Sequence, residues 1–253
     1  MIDIHSHILP AIDDGAKHME ESLAMARTAA DQGIHTIIAA PHHMDGRYHN
    51  FKMEVIENVK AFNERLVKEN IPVTVLSGQE TRMNGELMSS LEQGNLLPLD
   101  EISGYLLLEL PTNHVPRYAS QLVFELQMGG YRPILAHPER NRTLIESPNQ
   151  LYNLVKNGAF ASITAGSIVG QFGKKVQKFS HQLIEADLVH FVATAAKNKE
   201  MVCLKEAYKE INKTFGRATM DYFIQNTKML KSGDPVIGQE PHRIKKNKIF
   251  GII

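Results

Sequence analysis

Short aliphatic runs alternate along this chain with longer stretches whose apolar residues recur at helical spacing. "HTIIAA", "YLLLELP" and "RPILAH" are typical of buried strands, whereas "VIENVKAFNERLVKEN" places Val55, Val59, Phe62 and Leu66 on one stripe of a helix. This alternation predicts parallel strands joined by crossover helices, which is an α/β fold. About seven strand–helix units are present, close to the size of a (β/α) barrel. An open doubly wound sheet would give a similar pattern.

The boundaries follow from the same pattern. The first strand is predicted over Ile2–His5, and later helices over 150–157, 174–186, 200–215 and 219–231. The helix predicted near residue 20 buries Leu23, Ala26 and Ala30. Because the sequence has no repeat and no convincing linker, we expect one domain over 1–253, with a short basic and apolar tail from about 242 to 253.

Composition narrows the classes of partner. The 253 residues carry 28 basic and 28 acidic side chains, so no net charge favours nucleic acid or an anionic membrane surface. Cys203 is the single cysteine, which argues against a disulfide framework. No signal peptide and no run long enough to span a bilayer is found, and the tail is too short for stable anchoring. We therefore expect a cytoplasmic protein.

Histidines and glutamates follow the predicted strands. The residues at these positions are His5, His7, His42, Glu80, Glu109 and His137, and Asp13 and Asp14 lie in the loop after the first strand. In a parallel barrel all strand C-terminal ends share one face, so these side chains are expected to converge. Imidazole and carboxylate together suit Zn, Mn or Fe better than Ca or Mg. A shared carboxylate such as Glu80 could bridge two ions, an arrangement used in phosphoester hydrolysis.

Each of these residues also has an ordinary structural interpretation. A lone His-x-His is a weak motif, and Asp13-Asp14-Gly15 is an ordinary turn sequence. Glu80 could simply be an acid at a helix N-terminus, and Glu109 could pair with an arginine. The joint occurrence of imidazoles and carboxylates at five strand ends favours the metal site. The remaining histidines considered share no common rim and are taken as structural; they are His18, His49, His114, His181, His190 and His242.

Several longer motifs resemble one known family. "DIHSHILPAIDDGA", "AAPHH", "GQE", "LELP", "AHPERN" and "SITAGS" resemble the PHP (polymerase and histidinol phosphatase) superfamily. More narrowly, they resemble the bacterial manganese-dependent protein-tyrosine phosphatases of capsule and exopolysaccharide operons, the CpsB/YwqE type. The likeness runs from residue 1 to about 193, in order. It implies a distorted, PHP-like seven-stranded (β/α) barrel.

The resemblance also implies ligands and a reaction. His5, His7 and Glu80 would hold one ion; Glu80, Glu109 and His137 a second; Asp14 and His42 a third. Arg140 would bind the phosphate through its planar fork of donors. The implied ion is Mn²⁺, with Zn²⁺ or Fe²⁺ as alternatives, in about two or three copies per chain. The implied substrate is phosphotyrosine in the tail of a bacterial tyrosine kinase. The implied attack comes from a metal-bound hydroxide, and Cys203 lacks the C-x5-R loop of a cysteine phosphatase.

The last motif departs from the family pattern. The family has Asp-x-His where this chain reads "VATAAKN", so Ala195 replaces an aspartate and Lys197 replaces a histidine. The following "KEMVCLK" lacks the arginine that the family places there. An ammonium beside divalent cations is strongly repelled. We therefore expect the third ion to be absent and the Lys197 ammonium to substitute for it in part, close to Asp14.

These departures leave three functions open. The first is a metal-dependent protein-tyrosine phosphatase. The second is a pseudo-phosphatase that binds a phosphorylated kinase tail and hydrolyses it weakly or not at all. The third is a small-molecule phosphoesterase of the histidinol-phosphate type. The sequence also leaves a homo-oligomeric assembly open.

Overall fold

Within the part of the chain that the structure describes, the strands are all parallel, and they follow one another around a barrel in chain order. The computed structural model describes residues 1–244. The strand segments are β1 (Ile2–Ser6), β2 (Thr36–Ala39), β3 (His42–His43), β4 (Thr74–Ser77), β5 (Glu80–Arg82), β6 (Tyr105–Glu109), β7 (Arg132–Ala136), β8 (Phe160–Thr164) and β9 (Phe191–Ala193). They form one sheet in the order β1-β2-β4 and a second in the order β3-β5-β6-β7-β8-β9.

Helices connect the strands around the outside. They are α1 (Met19–Asp31), α2 (Lys52–Lys68), α3 (Leu87–Glu92), α4 (Ala119–Met128), α5 (Arg142–Glu146), α6 (Asn149–Lys156), α7 (Ala165–Ile168), α8 (Lys174–Glu185), α9 (Leu204–Phe215) and α10 (Arg217–Ser232). Two short 3-10 turns lie at Pro138–Arg140 and Lys199–Met201. The helix predicted over 200–215 therefore begins later, because Asn198 caps a separate turn by accepting a hydrogen bond from the Met201 amide.

The two sheets belong to a single seven-stranded barrel. β2 and β3 are two parts of one strand interrupted at Ala40–Pro41, and β4 and β5 are two parts of another interrupted at Gly78–Gln79. The Glu80 amide donates to the Pro41 carbonyl at 3.0 Å, which joins the two interrupted strands across the break. The expected distorted seven-stranded barrel is thus confirmed, and the open sheet is not the fold.

Closure of the barrel joins the first strand to the last. The Ala195 amide donates to the His5 carbonyl at 2.8 Å, and the His7 amide donates to the Ala196 carbonyl at 2.9 Å. Between the same two strands, the Asp3 carboxylate accepts hydrogen bonds from the Thr194 amide at 2.9 Å and from the Thr194 hydroxyl at 2.5 Å. The two ends of a chain segment of nearly two hundred residues are therefore tied by buried polar contacts.

Two apolar clusters separate the inside of the barrel from its helical coat. One gathers alternate strand residues, such as Ile4, Ile38, Leu107 and Phe191, and fills the interior. The other packs the opposite strand faces against the helices, and it includes the predicted stripe of α2, Val55, Val59, Phe62 and Leu66. In α1, Leu23 and Ala26 are buried as predicted, but Ala30 is only half-buried.

A β-bulge in the first strand redirects its histidines. Asp3 pairs with Ile37 and Ser6 pairs with Ala39, so three steps along β1 match two steps along β2. A bulge of this kind changes which face the following side chains take. Ile4 lies in the interior apolar cluster, and the next side chain, His5, reaches Glu80 in the mouth of the same barrel.

Within residues 1–244, no helix is both long and apolar enough to cross a membrane. Most of the predicted basic and apolar tail, from Lys245 onward, lies outside the described residues. Of its first residues, the His242 amide donates to the Ala186 carbonyl at 2.8 Å, and the Arg243 guanidinium lies over the Tyr152 ring at 4.3 Å from its centroid.

The tie between Asp3 and Thr194 gives a prediction about stability. Burial raises the pKa of Asp3 from 3.8 to about 6, against the opposing effect of the hydrogen bonds from Thr194. A raised carboxyl pKa contributes stability that is full below 3.8 and is lost as the pH rises through about 6. Thr194→Val removes the hydroxyl donor, and we expect it to cost about 1–3 kcal/mol of unfolding free energy.

The cost of Thr194→Val should be larger at about pH 8 than at about pH 5, because only the ionised carboxylate needs the lost donor. Urea denaturation of the metal-free protein at both pH values measures it. Thr194→Ser keeps the hydroxyl and serves as the control. Equal losses for the valine and serine variants at both pH values would contradict this account of the closure.

Candidate metal centre

The Glu80 carboxylate lies at the centre of the cluster. Its register partner on β3 is His42, and its side chain has 0% exposure. One oxygen, Oε2, lies 3.3 Å from His5 Nε2 and 3.4 Å from His7 Nε2. The two imidazole nitrogens are 3.3 Å apart. These three residues form a group whose candidate ligand atoms all lie within 4.8 Å of one another. The structure thus brings together the three side chains expected to hold the first ion.

A second group shares the same carboxylate. His42 Nδ1 lies 3.1 Å from Glu80 Oε2 and 3.8 Å from Glu109 Oε2, and these three residues satisfy the same distance limit. His137 Nε2 contacts the other oxygen of Glu80, Oε1, at 2.7 Å. The family resemblance implies Glu80, Glu109 and His137 as the ligands of a second ion. Within residues 1–244 the residue that satisfies the distance limit with Glu80 and Glu109 is His42 and not His137, which contacts the other Glu80 oxygen.

The third group is the most exposed. Asp14 Oδ1 lies 3.5 Å from His42 Nε2, and Asp14, His42 and His7 satisfy the distance limit. Lys197 reaches the same place: its Nζ lies 2.5 Å from Asp14 Oδ2 and 3.4 Å from His42 Nε2. The proximity of Lys197 to Asp14 that the sequence predicts is therefore present.

Asp13 supports these residues from behind. Its Oδ2 lies 2.6 Å from His7 Nδ1 and accepts the His42 amide at 3.1 Å, and its Oδ1 accepts the Gly15 amide at 2.9 Å. A carboxylate on the far nitrogen of a histidine fixes the orientation of the ring and leaves the other nitrogen for a ligand. Gly15 is required by this turn, since a Cβ there would lie 2.2 Å from the His7 carbonyl oxygen.

Burial and charge act against each other throughout the cluster. Burial disfavours the Glu80 anion, but the electrostatic interactions and hydrogen bonds with His5 and His137 outweigh it and hold the pKa of Glu80 well below its usual range. Burial lowers the pKa of His5 to about 4, so this ring is neutral near pH 7. Burial, together with the Glu80 charge, raises the pKa of Glu109. A neutral imidazole and an ionised carboxylate are the protonation states that bind a metal ion.

Two buried atoms test whether an ion fits. Glu80 Oε2 and His42 Nδ1 are 3.1 Å apart, yet within residues 1–244 neither makes a hydrogen bond of acceptable geometry. Buried polar atoms are normally satisfied, and an unsatisfied charged oxygen is costly. Both atoms point into groups of nitrogen and oxygen donors with the composition preferred by Zn, Mn or Fe. The donor set therefore fits bound ions, and an ion beside Glu80 Oε2 would satisfy that oxygen.

Two arginines lie beside the cluster. Arg82 Nη2 is 2.8 Å from Glu109 Oε2, a contact that sequence periodicity did not reveal although Arg82 stands only two residues after Glu80. The Arg140 guanidinium lies 4.7 Å from the centroid of the Phe172 ring. It lines a cavity of about 110 Å³ that Glu109 and His137 also line. The predicted phosphate-binding residue is thus next to the candidate ligands.

The turn that carries His137 and Arg140 is held by a buried glutamate that the sequence analysis did not single out. Glu139 Oε1 accepts the Thr164 amide at 3.0 Å and the Ser167 hydroxyl at 2.7 Å. His137 has a φ of 34°, in the left-handed region that residues other than glycine rarely adopt. The anchored turn therefore supports a strained backbone next to a candidate ligand.

The remaining residues of interest lie apart from the ligand groups. Ala195 is buried with a φ of 46°, and its contribution to the site is the backbone bond to His5. His43, the neighbour of His42, is fully buried and packs edge-on against Phe51 at 5.4 Å between ring centroids. His190 is buried and accepts the Ala161 amide through Nδ1 at 3.2 Å, a structural role.

Fold and site together define a class: a parallel (β/α) barrel with a cluster of imidazoles and carboxylates at the C-terminal ends of its strands. A family model described as capsular polysaccharide synthesis, CpsB/CapC, matches residues 1–231. The tyrosine-protein phosphatase YwqE of Bacillus subtilis is 47% identical over 253 residues, covering 99% of each chain. The chain belongs to the CpsB/CapC family.

Other comparisons agree with this assignment. The tyrosine-protein phosphatase CpsB of Streptococcus pneumoniae is 27% identical over 238 residues, covering 91% of this chain and 98% of the relative. A chain from the crystal structures of YwqE and CpsB, described as unique metal-dependent tyrosine phosphatases, superposes with a TM-score of 0.94 at 46% identity, over 97% of this chain and 100% of that one. A TatD-family hydrolase from Entamoeba histolytica, 11% identical with a TM-score of 0.53 over 91% of this chain and 97% of that one, shares the fold.

The environment of His7 predicts that metal binding releases a proton. Burial lowers the pKa of His7, but the contacts with Asp13 and Glu80 outweigh it and raise the pKa to about 9. Below that pH the ring holds a proton that an ion must displace, so Mn²⁺ affinity should fall up to about tenfold for each pH unit below 9. Calorimetry at about pH 7.5, in two buffers of different ionisation enthalpy, should show roughly one proton released at this group.

Asp13→Asn tests the origin of that proton. The substitution removes the carboxylate that holds His7 charged, so we expect fewer protons to be released and a shallower fall in affinity with pH. Release that is unchanged in the Asp13→Asn protein would show that His7 is not the source.

Removing the charge of Glu80 should weaken the binding of metal ions to the cluster. Glu80→Gln keeps the shape of the side chain but removes the anion that two groups share, and we expect Mn²⁺ affinity to fall by at least about 10–100-fold. Elemental analysis after dialysis measures ions per chain. Glu146→Gln, on an exposed carboxylate that lies 3.0 Å from Arg142, is the control and should leave the count unchanged. Full ion content in the Glu80→Gln protein would contradict the central role of Glu80.

Proposed function

We propose that this protein is a metal-dependent protein-tyrosine phosphatase. The supporting observation is the placement of Glu80, a buried carboxylate in contact with the imidazoles of His5, His7, His42 and His137 at the mouth of the barrel. Membership of the CpsB/CapC family and the names of the relatives support the same activity. We propose Mn²⁺ as the resident ion; bound ions would supply Lewis acidity and lower the pKa of a water molecule.

A cysteine mechanism does not fit the chain. Burial raises the pKa of the Cys203 thiol to about 12, so the thiolate needed for nucleophilic attack is scarce near neutral pH. Cys203 precedes α9 and packs in the apolar layer between the strands and the helices. Its position supports a function without a phosphocysteine intermediate.

The residues of the mouth divide into roles. Arg140 would bind the phosphate, because its guanidinium lines the small cavity beside Glu109 and His137 and offers a planar fork of donors. Its stacking on Phe172 restricts where that fork can point. Asp14 lies at the open side of the cluster and is the most exposed of its carboxylates. Its carboxylate would accept a proton close to the substrate.

The substrate we propose is phosphotyrosine in the tail of a bacterial tyrosine kinase of capsule or exopolysaccharide biosynthesis. An open cluster at a barrel mouth suits an exposed peptide segment, since three of the lining residues, Asp14, Arg140 and Lys197, are partly or fully exposed. We propose that the whole chain acts as one catalytic domain in the cytoplasm.

Phosphate release tests this function. We expect the purified protein to release phosphate from a phosphotyrosine peptide in the presence of Mn²⁺ and to lose this activity with a chelator. Glu80→Gln should lower turnover by at least about 100-fold, because the ions are lost with the bridging charge. Cys203→Ala, outside the site, should retain turnover within about twofold and serves as the matched control.

Two results would overturn the proposal. Binding of the phosphopeptide without release, at full metal content, would identify a pseudo-phosphatase. Hydrolysis of histidinol phosphate with a higher kcat/KM than that of the phosphotyrosine peptide would identify a small-molecule phosphoesterase.

A further inference from the structure

The Lys197 ammonium already occupies part of a candidate metal site. Its Nζ lies 2.5 Å from Asp14 Oδ2 and 3.4 Å from His42 Nε2. Asp14 and His42 are two of the three members of the outer group, and His7 is the third. The Lys197 side chain is 28% exposed and that of Asp14 is 37% exposed, so the contact is partly shielded from water. A compact charge therefore lies against two of the three ligands that an ion would need there.

His7 has a single nitrogen to offer. Its Nδ1 is engaged by Asp13 at 2.6 Å, and its Nε2 lies 3.4 Å from Glu80 Oε2. His5, His7 and Glu80 form the inner group of candidate ligands. An ion in the outer group would have to draw Nε2 away from Glu80. The inner group contains the buried anion, which attracts an ion more strongly than the exposed Asp14 does. His7 is therefore expected to serve the inner group.

Contact with lysine also decides the protonation of His42. An ammonium has three protons and no lone pair, so it can only donate. If Lys197 donates to His42 Nε2, the ring proton of the neutral imidazole lies on Nδ1, which faces Glu80 Oε2 at 3.1 Å. A nitrogen that carries a proton cannot bind a metal ion. Lys197 therefore withdraws His42 from coordination as well as neutralising Asp14.

We propose that Lys197 is a built-in cation that replaces a metal ion between Asp14 and His42 and confines the bound ions to the residues around Glu80. A divalent ion and an ammonium repel one another at this distance, so the outer group cannot hold both. The inference deepens the proposed phosphatase function, because the same ammonium provides a fixed positive charge at the open side of the mouth, where an anionic substrate enters.

Ion counting tests the proposal. The full-length protein is equilibrated with Mn²⁺, dialysed, and measured for ions per chain by elemental analysis. Lys197→Met keeps most of the side-chain volume and removes the charge, so we expect it to bind about one more ion per chain than the unaltered protein. The double variant Lys197→Met with Asp14→Asn should lose that extra ion. Lys199→Met, at a lysine whose charged contact is with Glu200 at 4.0 Å, is the matched control and should change nothing.

A second variant keeps the proposal testable if Lys197→Met fails to fold. Asp14→Asn in the otherwise unaltered chain should leave the ion count the same, because Asp14 holds an ammonium and not an ion. Loss of about one ion on Asp14→Asn would overturn the proposal. An unchanged count in a folded Lys197→Met protein would also overturn it.

These readouts separate the inference from the function on which it rests. Ion counts require no turnover, so an extra ion in the Lys197→Met protein would stand even if no phosphopeptide were hydrolysed. Conversely, Mn²⁺-dependent phosphate release combined with an unchanged ion count in that variant would leave the phosphatase intact and remove the role of Lys197.

Discussion

A buried negative charge is the constraint on which the rest of this structure depends. Glu80 has no exposed surface, and a carboxylate without counter-charges or hydrogen-bond donors in such a place is very unfavourable. Four imidazoles approach it from three different segments of the chain, from His5 to His137. The barrel makes this arrangement possible, because parallel strands deliver their C-terminal ends to one rim. The fold and the candidate metal centre therefore solve the same electrostatic problem.

The charges around this centre form layers. Outside the imidazoles, Asp13 supports His7 and Arg82 pairs with Glu109, so candidate ligands are themselves held by charged partners. Such outer contacts orient ligands and tune their basicity. Lys197 belongs to the same layer at the open side, where it contacts Asp14. An ammonium in that position changes the distribution of positive charge in the mouth without changing the fold.

Irregular backbone places the key side chains. The bulge in β1 allows Ile4 to fill the barrel and His5 to reach the mouth above it. Gly78 lies in the break between β4 and β5. A Cβ at this position would lie 2.9 Å from the side chains of Ile38 and Leu99, so the chain passes close to its neighbours just before Glu80. His137 takes a left-handed conformation. Strain and irregularity concentrate next to the candidate ligands, as is common at functional sites.

The sequence by itself determined the alternation of strands and helices, the buried stripe of α2, and the candidate ligands at the strand ends. These features depend on local periodicity and on the shared direction of parallel strands, and both can be read from neighbouring residues. The closed barrel follows less directly, since an open sheet has the same periodicity. The family resemblance, carried by long motifs, decided between the two, and the bonds between His5 and Ala195 confirm closure.

Only the tertiary structure decided how the candidate ligands are grouped and what surrounds them. The position of His42 between two groups, the pairing of Arg82 with Glu109, and the anchoring of the His137 turn by Glu139 all join residues far apart in the chain. No local pattern specifies such contacts, because side-chain directions at a barrel mouth depend on bulges, breaks and turns as well as on strand period. The contact of Lys197 with Asp14 was predicted through the resemblance, but its approach to His42 Nε2 required the folded chain.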